Sequence, residues 1–472
     1  MDEVNGDTLQ PLSLKEYHVS EEYGFALPDP LEVLPPYYQP WMEIARNVTE
    51  LIYSHSLRDH VHEMPELETE LLLDHRELRL AHLALSIITM GYVWQEGDNQ
   101  IVKVLPRNLA VPYWSVSQKL GLPPILTHAD ATLANWKRKD PHGEINMENV
   151  DLLFCLPGGS PFHGFFMVNL MVELAAVPAI KAVPQAINGV NQGDVATVTE
   201  ALNSISVSLD DVVEALKLMH HYVDPSVFYG IMRIYGSGWK DNPLMPEGLV
   251  YEGVQVEPLE FSGANGAQSS LLHCFDALLG VRHEGSSGAF LTRMRCQHML
   301  PAHAHFVEEV SRRRPGVRDF VREQGDEELS EAYERCVHRL VAVRNYHLKL
   351  VARYITLPAS QAQKLRLYGA DANEDNTVSQ APTALEKRGT GGSGIMSFLK
   401  TVRNRTRAVT DWSTTSTASQ SKPTETQEEH SGRVTVGVKN GGRVENGGGA
   451  SQKNQEESLS FLSWLTSKLW QP

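Results

Sequence analysis

The chain has 472 residues, enough for two or three domains and at least one large hydrophobic core. Hydrophobic residues make up 42% and charged residues 21% of it, as in an ordinary globular protein. Because 58 Asp and Glu outnumber 42 Lys and Arg, the formal net charge is −16, which argues against a nucleic-acid partner.

The cysteines and the N-terminus indicate where the protein works. The four cysteines are widely spaced and form no C-x-x-C pair, so we interpret them as reduced thiols, not as disulfides or zinc ligands. The N-terminus is acidic and lacks the basic start and apolar run of a signal peptide. No segment approaches the ~18 consecutive apolar residues of a membrane span. We therefore expect a cytosolic protein without a transmembrane segment.

Residues 1–150 are predicted to form a smaller domain of mixed, mostly helical structure. One long helix is predicted over residues 66–94, where apolar residues surround most of the circumference, so this helix is expected in the core. The proline-containing stretch 105–112, followed by Pro123 and Pro124, is predicted to be a connector that leads to the next domain.

Residues 151–403 are predicted to form a large all-helical domain, which makes the fold mainly α. An apolar helix over residues 165–177 is expected to end at Pro178. Asp224 and Pro225 look like an N-cap followed by proline at the first helical position, opening a helix that Gly236 ends. The longest and best patterned helix is predicted over residues 327–357.

The composition changes after residue 403. Residues 410–454 are rich in Ser, Thr, Gly, Asn and Gln and are predicted to be disordered, because they bury too little apolar surface to offset the entropy of ordering. Near the C-terminus, Leu462, Leu465 and Leu469 recur at helical spacing. That segment is either an amphipathic helix that docks on a partner or a membrane surface, or a short peptide that is helical only part of the time.

One histidine lies in the middle of an apolar helix face. Tyr333, Cys336, Leu340 and Val343 precede His347 at alternating spacings of three and four, so all share one side of the predicted helix. Such an imidazole is either a core histidine hydrogen-bonded to a neighbour or a neutral ligand to a metal or haem iron.

A second group of candidate residues follows Pro225. Phe228 and Tyr229 are adjacent, and Arg233 lies four residues after Tyr229, so rings and guanidinium project from nearby faces. Aromatic rings suit a flat apolar substrate and a guanidinium suits a carboxylate. The alternative is an arginine that reaches solvent or pairs with a surface acid.

A glycine-rich loop, residues 387–394, precedes the apolar segment 395–399. The loop does not match G-x-G-x-x-G and does not follow a strand, so nucleotide binding is a poor interpretation. A mobile lid and a plain linker both remain open.

Several segments together resemble the indoleamine 2,3-dioxygenase family. They occur in order between about residues 15 and 403, while the tail from residue 404 lies outside the resemblance. The segments that carry the resemblance are residues 123–126, 133–141, 164–168, 233–240, 248–253, 268–280, 344–348, 358–361 and 389–392.

The resemblance implies a small N-terminal domain above a large helical domain, with haem b between them. The implied activity is cleavage of the indole C2–C3 bond by dioxygen, which gives N-formylkynurenine from tryptophan or related products from other indoleamines, in the kynurenine pathway of tryptophan catabolism. An electron donor for the ferric haem is a further implied partner, and we expect a monomer.

The resemblance also implies roles for six residues. His347 corresponds to the proximal haem ligand, and Asp276 to a carboxylate that organises the proximal side. Phe228 and Arg233 correspond to the residues that stack on the indole and hold the substrate carboxylate. The remaining two correspond to a further distal ring and to the threonine of the lid: Phe165 and Thr390.

The pocket departs from the pattern of the best-known mammalian members. Asn169 stands where a serine is expected, Tyr229 where a second phenylalanine is expected, and His128 where a tyrosine is expected. Asn265 lies in a further altered stretch, and all four are assigned to substrate binding. We expect a more polar lining, a weak tryptophan affinity and no acid–base pair near the indole.

Two further hypotheses come from other functional classes. Molluscan myoglobins resemble the same family, so the chain could store oxygen without oxidising tryptophan, although Phe228, Arg233 and Thr390 favour an enzyme. Tyr113 and Tyr251 lie in sequences that fit a loose phosphotyrosine docking pattern, but both also fit core or boundary residues.

Overall fold

The computed structural model describes residues 10–368 and 394–412. Within these residues the chain is mostly helical, and its strands are two residues long, which confirms the mainly α fold. β1 (Val104–Leu105) pairs in parallel with β4 (Val250–Tyr251), and β2 (Lys137–Arg138) pairs antiparallel with β3 (Val150–Asp151). The described residues up to Asp411 form one compact unit. The boundary near residue 150 therefore stays a prediction.

The N-terminal part contains five α-helices. Their bounds are α1 Gln39–Tyr53, α2 Leu57–Glu63, α3 His75–Trp94, α4 Arg107–Leu120 and α5 His128–Ala131.

Helix α3 is the buried helix expected from the sequence, but it begins later than predicted. The Asp74 side chain accepts a hydrogen bond from the Glu77 amide at 2.9 Å, and Glu77 reaches back to the Asp74 amide at 3.3 Å. This capping box satisfies free amides of the first turn, so the helix begins at His75 and residues 66–74 stay outside it.

The predicted connector over residues 105–112 is wrong, because helix α4 occupies most of it. Pro106 precedes the first helical residue, where a missing amide costs no hydrogen bond. Pro112 lies inside the helix and is fully covered, since α4 packs against α3. Tertiary packing therefore outweighs the one hydrogen bond that the proline removes.

A buried polar network fixes the segment that leads into α5. His82 Nδ1 lies 2.7 Å from Asp130 Oδ1, and His82 Nε2 lies 3.2 Å from the carbonyl oxygen of Pro123. Burial alone would raise the pKa of the Asp130 carboxyl, but His82 and Thr127 outweigh it and hold that pKa below its usual value. Thr127 Oγ1 donates to the other Asp130 oxygen at 2.6 Å. These contacts hold α5 against α3.

The middle of the chain contributes six helices. Their bounds are α6 Gly159–Ala175, α7 Val177–Gln192, α8 Val195–Lys217, α9 Met219–Tyr222, α10 Pro225–Val227 and α11 Arg233–Tyr235. The predicted end of the apolar helix before Pro178 is confirmed. The stretch Gly159–Gln192, which comprises α6 and α7, is long and apolar enough to cross a membrane. However, half of its most apolar 18-residue segment is buried, and both α6 and α7 pack against α8. It is weak evidence for a membrane span.

The helix predicted after Asp224 is confirmed, with one local difference. The Asp224 carboxylate accepts the amides of Ser226 and Val227 at 2.8 and 3.0 Å. Between α10 and α11 the chain forms a π turn, Phe228–Met232, in which each turn is wider than in an α-helix. Gly236 follows the last helical residue.

Seven helices complete the described chain. Their bounds are α12 Ser270–Leu278, α13 Gly285–His298, α14 Pro301–Arg312, α15 Val317–Gln324, α16 Glu327–Val351, α17 Leu357–Tyr368 and α18 Ile395–Ala408. A second π turn, Ala352–Thr356, joins α16 to α17, so the predicted long helix extends beyond residue 357. Helix α16 packs along α8 and α18, and α18 continues past residue 403. Residues 404–408 of the predicted disordered tail are helical, because they form the end of α18. The tail beyond residue 412, with its amphipathic segment, lies outside the described residues.

Both tyrosines of the phosphotyrosine hypothesis are fully buried. The Tyr113 hydroxyl lies 2.6 Å from Ser86 Oγ, and the Tyr251 hydroxyl donates to the Pro124 carbonyl at 2.7 Å. A kinase would reach neither hydroxyl in this fold, so both are core residues.

Candidate functional site

A largely apolar cavity of about 310 Å³ lies among helices α6, α16 and α18 and the first π turn. This volume falls within the range of small-molecule pockets. The loop over residues 264–269 and helix α5 close it further. Helix α18 contributes the apolar side chains Ile395, Phe398 and Leu399, and Phe398 packs edge-to-face on Phe290 at 5.0 Å.

His347 lines this cavity from helix α16, where Val343, Leu350 and Val351 surround it on the same wall. Among residues 10–368 and 394–412, neither of its ring nitrogens has a hydrogen-bond partner. Burial, together with the smaller effect of the nearby Arg344 guanidinium, lowers the pKa of His347 to about 4, so the imidazole is neutral at pH 7. The interpretation as a satisfied core histidine is therefore not supported.

Arg344, one helical turn before His347, connects this wall to Asp276. Its Nη2 lies 2.6 and 2.7 Å from the two oxygens of Asp276, and His283 Nε2 lies 2.8 Å from the second of them. Burial alone would raise the pKa of Asp276, but Arg344 and His283 outweigh it and the pKa lies below its ordinary value. Asp276 thus acts on the His347 wall through Arg344, not by direct contact with the imidazole.

We expect Asp276→Asn to destabilise the protein by about 3–5 kcal/mol, because it leaves the Arg344 guanidinium buried without its counter-charge. Urea unfolding at pH 7 measures this. Because the folded pKa is depressed, the stabilisation is present above the ordinary pKa of 3.8 and is lost as the pH falls through the lower folded value. The stability difference between wild type and variant should therefore shrink in acid. Asp319→Asn, in an exposed pair with Arg322, is the matched control and should change stability by less than ~1 kcal/mol.

Two phenylalanines from different elements meet in the cavity. Phe165 of α6 and Phe228 of the first π turn have ring centroids 5.1 Å apart, and both line the cavity. Tyr354 of the second π turn packs edge-to-face on Phe228 at 5.9 Å and donates its hydroxyl to the Met219 carbonyl at 2.7 Å. Phe165 and Phe228 together form an aromatic surface suited to a flat ring.

Arg233 also lines the cavity and is 4% exposed. Burial lowers its pKa to about 10, while contact with Tyr229 opposes the shift, so the guanidinium stays charged at pH 7. Its guanidinium carbon lies 5.1 Å from the centre of the Tyr229 ring. Tyr229 packs against Ala362 and does not line the cavity. It therefore contacts Arg233 from outside the cavity and is not among the residues that face a substrate there.

A buried histidine–carboxylate pair lies in the same cavity. His128 Nε2 is 2.9 Å from Glu173 Oε1, and Ser269 Oγ donates to the same oxygen at 2.6 Å. All three residues are buried and line the cavity. The cavity thus contains one histidine–carboxylate pair, and the expectation that no acid–base pair lies near the indole stays a prediction.

Of the three remaining predicted site residues, the structure places two in the cavity. Asn169 and Asn265 line the cavity, and the Asn169 amide donates to the Phe165 carbonyl one turn earlier at 2.8 Å. Asn265 caps a short 3₁₀ turn by accepting the Ala267 amide at 3.0 Å. Thr390 lies outside the described residues.

Three residues of the site were not predicted from the sequence. Glu173 is the only charged residue in the apolar stretch 165–177, and it lies eight residues after Phe165, on the same helix face. Arg344 could have been found in a similar way, because it is a charged residue one helical turn before the candidate ligand His347. Ser269 gives no such signal, because its contact with Glu173 joins residues 96 positions apart.

The family model for indoleamine 2,3-dioxygenase matches residues 13–409. "Indoleamine 2,3-dioxygenase 2" of Homo sapiens is 48% identical over 402 residues, covering 85% of this chain and 96% of the relative. "Indoleamine 2,3-dioxygenase 1" of Rattus norvegicus is 49% identical over 403 residues, covering 84% and 96%. "Myoglobin" of Haliotis diversicolor is 35% identical over 397 residues, covering 84% and 98%.

The family match covers nearly all of the described residues, including those that line the cavity. The two dioxygenase relatives also share clearly more identity with this chain than the molluscan protein does. The chain therefore belongs to the indoleamine 2,3-dioxygenase family and is an oxidoreductase of the dioxygenase class.

Proposed function

We propose that this protein is a haem-dependent dioxygenase that inserts dioxygen across the indole C2–C3 bond of tryptophan or a related indoleamine, giving N-formylkynurenine from tryptophan. One observation carries the proposal: a single cavity holds the neutral, unbonded imidazole of His347 together with the aromatic pair Phe165–Phe228 and the buried guanidinium of Arg233.

The donor set of the cavity fits a haem. A neutral imidazole is the form that ligates iron, and His347 offers it without a competing partner among the described residues. Arg344 Nε and Nη1 are buried and have no hydrogen-bond partner within residues 10–368 and 394–412, and Arg344 lines the cavity. These donors would suit the carboxylate of a haem propionate. The described residues contain no cluster of three His, Cys, Asp or Glu, so a ligand such as porphyrin would have to supply the other iron ligands.

The residues of this chain would position the substrate. When bound, haem iron supplies the site at which dioxygen is bound and activated. Phe165 and Phe228 would stack on the indole, and Arg233 would hold the carboxylate of the amino acid. The apolar side chains of α16 and α18 would keep water away from the reacting carbons.

We also propose a weak affinity for tryptophan. Asn169 and His128 place polar groups in a cavity that must enclose an apolar ring. Their bonds to Phe165 and Glu173 leave other polar atoms of both side chains unused, and removing water from these atoms opposes binding. A cytosolic location, a monomeric state and an external electron donor remain part of the same proposal.

The direct test is an assay of the full chain loaded with haem. In the ferrous state with dioxygen, tryptophan should accelerate the decay of the oxygenated form, and mass spectrometry should detect N-formylkynurenine. A stable oxygenated form whose decay rate does not change when tryptophan is added would instead support an oxygen-storage protein. The lower identity to the molluscan myoglobin does not favour that alternative.

A further inference from the structure

We propose that Thr410, in the turn after α18, is a phosphorylation site for an arginine-selecting serine/threonine kinase, and that its modification loosens the end of α18. The inference does not rest on the proposed function, because Thr410 does not line the cavity. The match to the family model ends at residue 409, so Thr410 is the first residue beyond it.

The residues before Thr410 carry an unusual pattern of charge. Arg405 and Arg407 precede it by five and three residues, and no other Ser or Thr of the chain has arginines at both positions. Helix α18 contains four Lys and Arg and no Asp or Glu, although the whole chain is acidic. Kinases select substrates partly by such charge patterns, and a guanidinium forms paired hydrogen bonds with a carboxylate. The pattern therefore fits a kinase with acidic side chains beside its active site.

The three side chains of this pattern are accessible at the surface. Arg405 is 49% exposed and forms a surface ion pair with Glu284 at 3.3 Å, and such a pair contributes little. Arg407 is also exposed. Thr410 is partly exposed in the turn that follows Ala408, and its hydroxyl donates to the Arg407 carbonyl at 3.0 Å. A kinase therefore has to displace only weak surface interactions of these side chains.

Thr406 shows that the structure, and not the spacing of arginines alone, selects Thr410. Arg403 precedes Thr406 by three residues, so Thr406 carries part of the same pattern. However, Thr406 is fully buried, and its hydroxyl donates to the Val402 carbonyl one turn earlier at 3.0 Å. A kinase could reach it only if α18 left its packing on α16. Thr410 lies beyond the last helical residue, where opening of the chain costs least.

Arg318 of α15 holds the segment that contains Thr410. Its Nε donates to the Val409 carbonyl at 2.9 Å, and its Nη2 donates to the Asp411 carbonyl at 3.3 Å. Arg318 thus binds both neighbours of Thr410, and these bonds must break before the segment can enter a kinase active site. Removing them should therefore speed phosphorylation, whereas recognition of the sequence alone would not depend on Arg318.

The transfer needs only ATP and the kinase. The Thr410 oxygen attacks the γ-phosphorus of ATP, and the bond from that phosphorus to the β–γ bridging oxygen breaks. ADP leaves with the bonding electrons, and the hydroxyl proton passes to the catalytic aspartate of the kinase. The new phosphate carries a charge of about −1.5 to −2 at pH 7.

A phosphate at this position weakens the end of α18 in three ways. The modified oxygen no longer donates to the Arg407 carbonyl. The negative charge lies at the carbonyl end of the helix, where the helix dipole opposes it. The phosphate also competes with the Val409 and Asp411 carbonyls for the Arg318 guanidinium. Since the first turn of α18 lines the cavity, the modification acts on a helix that forms part of the cavity wall.

The experiment incubates the full chain with ATP, Mg²⁺ and a purified kinase that selects arginines five and three residues before the acceptor. Mass spectrometry should find phosphate at Thr410 and none at Thr406. Arg405→Gln and Arg407→Gln should each lower kcat/KM for phosphorylation by at least ~10-fold, the equivalent of one lost charge-assisted pair. Arg318→Ala should raise it several-fold.

The controls lie on the same helix. Thr410→Ala should remove the modification, and Thr410→Ser should keep it. Thr401→Ala, at an exposed threonine without an arginine three or five residues earlier, should leave the modification unchanged. Lys400→Gln, which removes a charge of α18 but neither of the two arginines, should leave the rate unchanged. Circular dichroism shows that each variant is folded. In the phosphorylated chain, amides of the last turn of α18 should lose protection from hydrogen exchange.

Three results would overturn the proposal. The first is a wild type that takes no phosphate at Thr410 from such a kinase. The second is a rate that Arg405→Gln and Arg407→Gln both leave unchanged. The third is equal protection of the last turn of α18 in the phosphorylated and unphosphorylated chains. None of these readouts depends on tryptophan oxidation.

Discussion

Replacing His347 by alanine is expected to lower haem retention and dioxygenase activity by more than ~100-fold, since even groups that only support a metal ligand are worth 10–100-fold. The imidazole is the one ring nitrogen donor that the described wall of α16 offers to the cavity, and no described neighbour competes for it. The absorbance of bound haem per protein and the rate of N-formylkynurenine formation measure the two effects.

The matched control lies on the same helix. His338→Ala removes an exposed histidine of α16 and should keep both haem content and activity. Added imidazole should restore part of the haem spectrum in the His347 variant, because a free ligand can occupy the space that the side chain leaves. Retention of full haem content and activity by His347→Ala would contradict the assignment of this residue as the iron ligand.

The second large effect is expected at Arg233. Arg233→Ala should lower kcat/KM for tryptophan by ~10- to 100-fold, the equivalent of losing one charge-assisted hydrogen-bonded pair. Haem content should not change, because Arg233 is the first residue of α11, directly after the first π turn, and does not lie on the α16 wall that carries His347. Arg233→Lys should recover only part of the rate, since an ammonium lacks the two-pronged geometry of a guanidinium.

Tryptamine, which lacks the carboxylate, makes the measurement specific. Wild type should prefer tryptophan over tryptamine, and Arg233→Ala should lose most of that preference. If the variant lowers the rates for both compounds equally, Arg233 supports the fold of the cavity and does not hold the carboxylate.

Local patterns in the sequence predicted the parts of the fold that depend on neighbouring residues. Asp224 and Pro225 begin a helix because the capping bonds span only two or three residues. The face of α16 that carries His347 follows from the helical repeat. The start of α3 was predicted too early because the capping box at Asp74, which is also a local pattern, was not recognised. The family resemblance named some of the residues that line the cavity, among them His347, Phe228 and Arg233.

The rest depends on contacts between distant segments. Pro112 argues against a helix locally, and only packing against α3 makes α4 stable there. The bond between Asp276 and Arg344 joins residues 68 positions apart, and the bond between His128 and Glu173 joins residues 45 apart. Hydrophobic periodicity carries no information about such pairs. A π turn is equally hidden, because its residues are ordinary helix-compatible types.

The first π turn makes the spacing between Phe228 and Arg233 sensitive to chain length. Arg233 follows Phe228 by five positions, and each residue turns the chain by about 100° in an α-helix and by somewhat less in the wider π turn. Removing one residue from this stretch would leave the phenyl group in place but swing the guanidinium about a quarter of the way round the axis. Natural variation by insertion or deletion should therefore be rarer here than amino-acid exchange, although the stretch is only a short segment of helix.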